Sequence, residues 1–271
     1  MKKVLICVGI LLISLLTACG DSSNDDVTVV RVGVVGAFQH QWDIVNELLE
    51  PYDIYVELVS FSDFTTPNTV LNDGEIDLNA FQNIGFLNNA IENNGYDITP
   101  IGITFVAPLN IFANFDRISS IEDLSTGDEV GIPSDLTNGG RALKVLEAAG
   151  LIVMNPAVGY LGTEADILEN PSGIVIVPAE SGTLASMLPD LTAAVINSGN
   201  AVTGGLDLVS DSIFLEDSLN LEIADDLINV IVARTEDVDN EVFARIVEAY
   251  QTAEVAQTIE EAFGGIAAFD Y

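Results

Sequence analysis

Between Val27 and Ala233 the chain alternates short β-branched runs with amphipathic stretches, and that alternation restricts the folds open to it. The run Val27 to Val35 reads Val-Thr-Val-Val-Arg-Val-Gly-Val-Val, which suits a strand buried on both faces of a parallel sheet. Trp42, Ile44, Val45, Leu48 and Leu49 then recur at helical spacing. Ile54 to Val59 predicts the next strand. Thr65-Thr66-Pro67-Asn68 predicts a helix start, with a hydroxyl cap and proline in the first turn. Gly74 closes that helix, and Ile76 to Phe81 reads as a strand. Further strands are expected at Glu129 to Pro133, Gly173 to Val177, Ala193 to Ile196 and Ile228 to Ala233. Helices are expected from Gly139 to Ala149, stopping at Gly150, and over most of Asp239 to Phe263. Repetition of this kind predicts an α/β architecture with parallel sheets. No internal repeat of fixed period is visible.

The body is long enough for two modest cores. The apolar segments Ile101 to Leu109 and Ser210 to Ile223 read as crossings between two lobes. The expected division is 27–108 for the first part of lobe 1, 109–222 for lobe 2 with its crossings, and 223–271 for the return to lobe 1. Two such lobes place a ligand cleft at the strand ends.

The N-terminus predicts where this body resides. Lys2 and Lys3 precede an uncharged apolar run, Val4 to Leu16, too short for the roughly 20 residues a bilayer span needs. Residues 1–18 therefore read as a secretory signal peptide. Its end, Leu16-Thr17-Ala18-Cys19, resembles the bacterial lipobox, which makes Cys19 the lipidation site. Residues 19–26 read as the lipidated cysteine and a flexible tether. The expected location is the extracytoplasmic face of the cell membrane. Cys7 and Cys19 are the only cysteines, and Cys7 lies in the segment to be removed. Disulfide frameworks, zinc clusters and thiol catalysis are thereby excluded.

Charge narrows the partners. Beyond the signal peptide six basic residues stand against 42 acidic ones, a net charge of −36. Such a surface repels nucleic acid and anionic lipid. It reads either as a solvated acidic surface without a specific partner or as adaptation to a saline or alkaline exterior. Catalysis has little to work with. His40 is the single histidine and reads as an exposed helix-start residue. No nucleophile elbow, phosphate loop or metal-spaced His/Cys set occurs, so the expectation is a non-enzyme without metal or cofactor.

The stretch Ile132-Pro133-Ser134-Asp135-Leu136-Thr137-Asn138-Gly139-Gly140-Arg141-Ala142-Leu143 runs from strand through loop and two glycines into a helix. It predicts free backbone N–H groups and Arg141 at one helix N-terminus, a setting for a carboxylate. A guanidinium binds a carboxylate through two parallel hydrogen bonds that lysine cannot match. The alternative is a structural ion pair between Arg141 and one of the many acids.

Six short segments, in order, resemble the NlpA/MetQ family, the methionine-binding lipoproteins of methionine ABC importers. They are Val32 to Gly36, Phe61 to Asn68, Leu71 to Gln82, Thr137 to Leu143, Ala193 to Asn197 and Asn229 to Val232. The resemblance implies a two-lobed periplasmic-binding-protein fold, type II-like, closing over one amino acid. It implies that Arg141 holds the ligand carboxylate and that Asn197 and Asn229 orient the α-amino and carboxylate groups. Asn138 and Asn83 join them at the site, while Phe64, Phe81 and Phe86 line a pocket for the ligand side chain. The chain departs from the family at Phe64 and Phe86, where tyrosine is common, at Asn83, where histidine is, and at Gly139, where glutamate is. An intact clamp with altered side-chain contacts is the expectation. The implied partners are methionine (L- and D-), an ABC permease with its ATPase, and the membrane through a lipid anchor, the protein itself being a monomer. A methionine-containing dipeptide, another apolar amino acid, or an adhesin on the same fold are the alternatives.

Overall fold

The computed structural model describes residues 27–36, 39–216, 225–263 and 265–270. The signal peptide, Cys19, the tether and residues 217–223 of the second expected crossing lie outside the described residues. The strands are, in chain order, β1 (Thr28–Val35), β2 (Ile54–Phe61), β3 (Leu78–Asn83), β4 (Ile98–Ile103), β5 (Phe105–Val106), β6 (Leu109–Ala113), β7 (Glu129–Pro133), β8 (Val153–Met154), β9 (Ile167–Glu169), β10 (Val175–Ala179), β11 (Ala193–Asn197), β12 (Ser212–Phe214), β13 (Asn229–Arg234) and β14 (Ile266–Ala267). The α-helices are α1 (His40–Leu49), α2 (Thr66–Asn72), α3 (Ile84–Asn94), α4 (Leu136–Ala148), α5 (Leu184–Met187), α6 (Ser198–Thr203), α7 (Glu241–Tyr250) and α8 (Ala253–Phe263).

Two five-stranded sheets organise the molecule, ordered β2-β1-β3-β13-β4 and β10-β7-β11-β6-β12. In the first, β1 runs parallel to β2 and β3, while β13 is antiparallel to β3 and β4. In the second, β7 runs parallel to β10 and β11, while β6 is antiparallel to β11 and β12. The chain is thus α/β with two lobes. It leaves the first sheet at β4, enters the second at β6, and returns from β12 to β13.

Side-chain alternation builds a core on both faces of each sheet. Along β13, Ile231 and Ala233 join Val30, Val32, Val34, Trp42 and Tyr250 on one face. Val230 and Val232 join Leu71, Ile76 and Leu87 on the other. Along β11, Ala193 and Val195 pack with Leu143 and Leu146 of α4, whereas Ala194 and Ile196 pack with Leu184 and Ala201. Continuous β-branched runs are needed here because both faces are covered.

Several boundaries differ from the sequence reading. The expected hydroxyl cap at Thr65 makes no cap hydrogen bond. Asp63 takes that part, its Oδ1 accepting from the N–H groups of Thr65 and Thr66. The strand expected at Gly173 to Val177 begins two residues later, since Gly173 sits at φ +71° in a turn. The C-terminal helix is two helices, broken at Gln251 and Thr252.

Candidate functional site

The carboxyl ends of β1, β3 and β11 and the first turns of α4, which follows β7, converge on one cavity between the lobes, of about 110 Å³. This is where open α/β sheets bind ligands. Phe64, Phe81, Asn83, Phe86, Asn138, Arg141, Asn197 and Asn229 all line it, so every ligand residue expected from the sequence is brought to a single place. Among the described residues that line it, Arg141 is the only charged one and none is acidic.

Lobe 1 supplies an aromatic corner. Phe64, in the loop before α2, Phe81 on β3 and Phe86 on α3 form a triangle with ring centroids 6.0, 6.2 and 6.1 Å apart. One pair is stacked and two meet edge-on, the geometries that ring quadrupoles favour. Each ring is fixed by its backbone. Burial works against the charge of Asp63, yet hydrogen bonds from the side chains and N–H groups of Thr65 and Thr66 outweigh it and hold its carboxyl below the usual range. That cluster locks the turn carrying Phe64. Asn83 caps α3, its Oδ1 accepting from the Phe86 N–H at 2.8 Å, so it positions Phe86. Beneath β3 the buried amides of Asn68, Asn79 and Gln82 bond to one another, with Gln82 facing the cavity.

Lobe 2 supplies the polar wall, and here the helix start differs from expectation. Asp135 is the N-cap of α4, accepting from the Asn138 N–H at 2.9 Å. The two glycines answer to crowding instead. A Cβ at Gly139 would stand 2.7 Å from the Pro133 carbonyl oxygen, and one at Gly140 would fall on the Tyr160 carbonyl. They let α4 press against neighbouring backbone, which sets Arg141 at the cavity.

Asp135 also orients a relay of amides. A carboxylate only accepts, so it draws the Asn138 Nδ2 group, at 3.0 and 3.1 Å. Asn138 must then turn its Oδ1 outward, and it accepts from Asn197 Nδ2 at 3.0 Å. This leaves Asn197 Oδ1 as an acceptor, and that buried atom has no partner. A buried lone pair without a donor is costly, so Asn197 Oδ1 is a ready acceptor at the cavity.

Arg141 is buried, with its side chain 5% exposed. Its Nε donates to Glu216 Oε1 at 2.9 Å, and its Nη2 donates to Glu216 Oε2 at 2.5 Å and to the Ala107 carbonyl at 2.8 Å. The two-bond fork expected for a ligand carboxylate is therefore engaged by an internal one.

Sequence reasoning did not anticipate Gln39, Gln41, Gln82, Thr104, Phe105, Ser198, Asn200 and Tyr250, which also line the cavity. Of these, Asn200 Nδ2 and Gln41 Oε1 are buried and unpartnered. The readable signal was Asn197-Ser198-Gly199-Asn200 directly after a strand, the cap chemistry of a helix start. His40 lies exposed at the start of α1, its Nδ1 3.2 Å from Asp43 Oδ2.

Residues 30–268 match the profile of the NlpA lipoprotein family. The chain belongs to that family. It is 38% identical to the D-methionine-binding lipoprotein MetQ of Salmonella typhimurium, over 97% of this chain and 96% of that one. It is also 38% identical to outer membrane lipoprotein 3 of Mannheimia haemolytica, over 92% of each. Among solved structures it resembles the methionine-binding protein MetQ, with a TM-score of 0.83 and 35% identity over 90% of this chain and 99% of the other. A nutrient-binding protein from Burkholderia cenocepacia bound to methionine has a TM-score of 0.80 at 30% identity, covering 89% of this chain and all of that one. Two lobes around a cleft are common to the NlpA chain and these structures.

Proposed function

We propose that this NlpA-family chain is an extracytoplasmic solute-binding lipoprotein, not an enzyme, that captures methionine and delivers it to an ABC permease powered by its ATPase. The observation that carries the reading is the division of one small cavity into an apolar and a polar end. The volume, about 110 Å³, falls below the roughly 300–1,000 Å³ of drug-sized sites. It favours one amino acid over a dipeptide.

In this reading the α-ammonium donates to Asn197 Oδ1, and the α-carboxylate meets Arg141 with Asn229 beside it. The thioether lies among Phe64, Phe81 and Phe86, where sulfur–aromatic contacts are favourable. With Phe at 64 and 86 the corner has no hydroxyl to address a polar side chain. Its relatives bear names for methionine or D-methionine binding, which supports the same ligand here. Calorimetry of the mature protein with L-methionine, D-methionine and Gly-Met tests it. Saturable binding of a free methionine is expected, and binding of Gly-Met alone would sink the assignment.

Cys19 is proposed as the lipid-bearing residue that holds the body at the membrane, two acyl chains giving the stable anchoring that one cannot. Membrane fractionation of Cys19→Ser tests it. The variant should leave the membrane fraction or remain unprocessed, and a processed variant that stays membrane-bound would defeat it.

A further inference from the structure

Arg141 does more than line the cavity, because its partner belongs to the chain that connects the lobes. Glu216 follows β12 at the start of the return crossing, and Ala107 lies on the outward crossing between β5 and β6. One guanidinium therefore holds both connections, through Glu216 and through the Ala107 carbonyl.

Two readings of Glu216 are chemically distinct. It could fill the place of a ligand carboxylate and be displaced on binding, or it could stay and hold Arg141 from behind. The surroundings decide between them. Glu216 Oε2 also accepts from the Leu109 N–H at 2.7 Å, and the Glu216 N–H donates to Asn110 Oδ1 at 3.0 Å. Both residues are buried, Leu109 completely. Displacing the carboxylate would break the pair and strand the buried Leu109 donor, which a ligand meeting Arg141 from the cavity side does not reach. Position agrees. Arg141 borders the ligand cavity, whereas Glu216 borders a second, more open cavity on the other side and not the first. The two residues of the pair thus border different cavities, with Pro108 lining both.

We infer that Glu216 is a positioning residue, a permanent counter-ion that holds the Arg141 guanidinium by its Nε–Nη2 edge and leaves the Nη1 edge for the ligand. This rests on the proposed methionine reading and deepens it. The charge at the back of the site is already balanced, so a solute adds no net charge when it is itself a zwitterion. Anionic solutes gain less from Arg141 than an unpaired guanidinium would give them. The site is built for a carboxylate that arrives with its own ammonium.

The test is a double-mutant cycle on L-methionine affinity, using parent, Glu216→Ala, Arg141→Ala and the double variant, with Glu216→Gln as the conservative change. Glu216→Ala should weaken binding roughly tenfold or more, within the span of coupling between contacting residues. Glu216→Gln should recover part, since its amide oxygen still accepts from Leu109 or Arg141. In the Arg141→Ala background Glu216→Ala should cost little more, because its effect passes through Arg141. Melting temperatures of the same five proteins identify any variant that fails to fold, and Glu216→Gln carries the comparison where Glu216→Ala does not fold. Affinity equal to or tighter than the parent in both Glu216 variants would make Glu216 a displaceable stand-in and overturn the inference. Fully additive losses would overturn it too, by making the two residues independent. A parent that binds no methionine would remove the functional reading and this inference together, whereas failure of the Glu216 variants to lose affinity removes this inference alone.

Discussion

The two lobes run the same topological course and deliver different chemistry. In each sheet the second strand, β1 or β7, lies between parallel neighbours, and the fourth position is filled antiparallel by the strand that follows a crossing, β13 in one and β6 in the other. In each, carboxyl-terminal strand ends present residues to the cleft. Lobe 1 presents three phenylalanines held by a capped turn and a capped helix. Lobe 2 presents an arginine and a chain of amides held by Asp135. Topology thus fixes where side chains converge, and the residues at strand ends decide what they recognise. The division suits a solute with a charged head and an apolar tail.

The largest expected effect breaks the polar half. Removing one partner of a desolvated charge pair costs about 2–5 kcal/mol, roughly 30-fold to several thousand-fold in affinity. Arg141→Ala should weaken methionine binding by at least the lower figure in calorimetry, with Arg141→Lys recovering only part. Undiminished binding would make Arg141 purely a tie between crossings. A smaller effect sharpens the apolar half. Phe86→Ala should weaken methionine roughly 10- to 200-fold and erode selectivity over alanine, the scale on which apolar pockets discriminate. Equal losses for both amino acids would dissolve the proposed division of labour. The smallest effect tests how the corner is held. The carboxyl of Asp63 lies below its usual range, so its contribution is present above the unfolded carboxylate value and disappears as pH falls through the lowered one. Asp63→Asn should cost about 1 kcal/mol, as lost caps do, and lower the melting temperature by roughly 2–4 °C at neutral pH. The deficit should close at acid pH, and one that persists unchanged there would assign it to packing.

How far the sequence reveals this site depends on contrast with its background. Buried parallel strands are legible because both faces must be apolar, and β1 and β11 lie within a residue of their expected places. Arg141 is legible because cations are rare in this chain. Glu216 is not, being one acid among 42. Helix α3 escaped notice, since Ile84 to Asn94 carries glycine and four asparagines, poor helix formers that tertiary packing of Leu87 overrides. Asn138 and Asn197 are candidates only through the family resemblance, and the relay that turns their amides, joining Asp135 at the N-cap of α4 to Asn197 at the end of β11, is not legible.

At three places around the cavity the lobes approach closely enough that a glycine stands at the contact. A Cβ at Gly182 would lie 2.7 Å from the Ser62 carbonyl oxygen, one at Gly85 would lie 3.1 Å from Thr137 Cγ2, and one at Gly36 would lie 3.0 Å from Thr203 Oγ1. Among the described residues each buried hydrophobic cluster lies within one lobe and none spans the seam between them, so parting it forfeits little hydrophobic free energy. Under the function proposed above, a body held together mainly through its bound solute parts readily once that solute leaves.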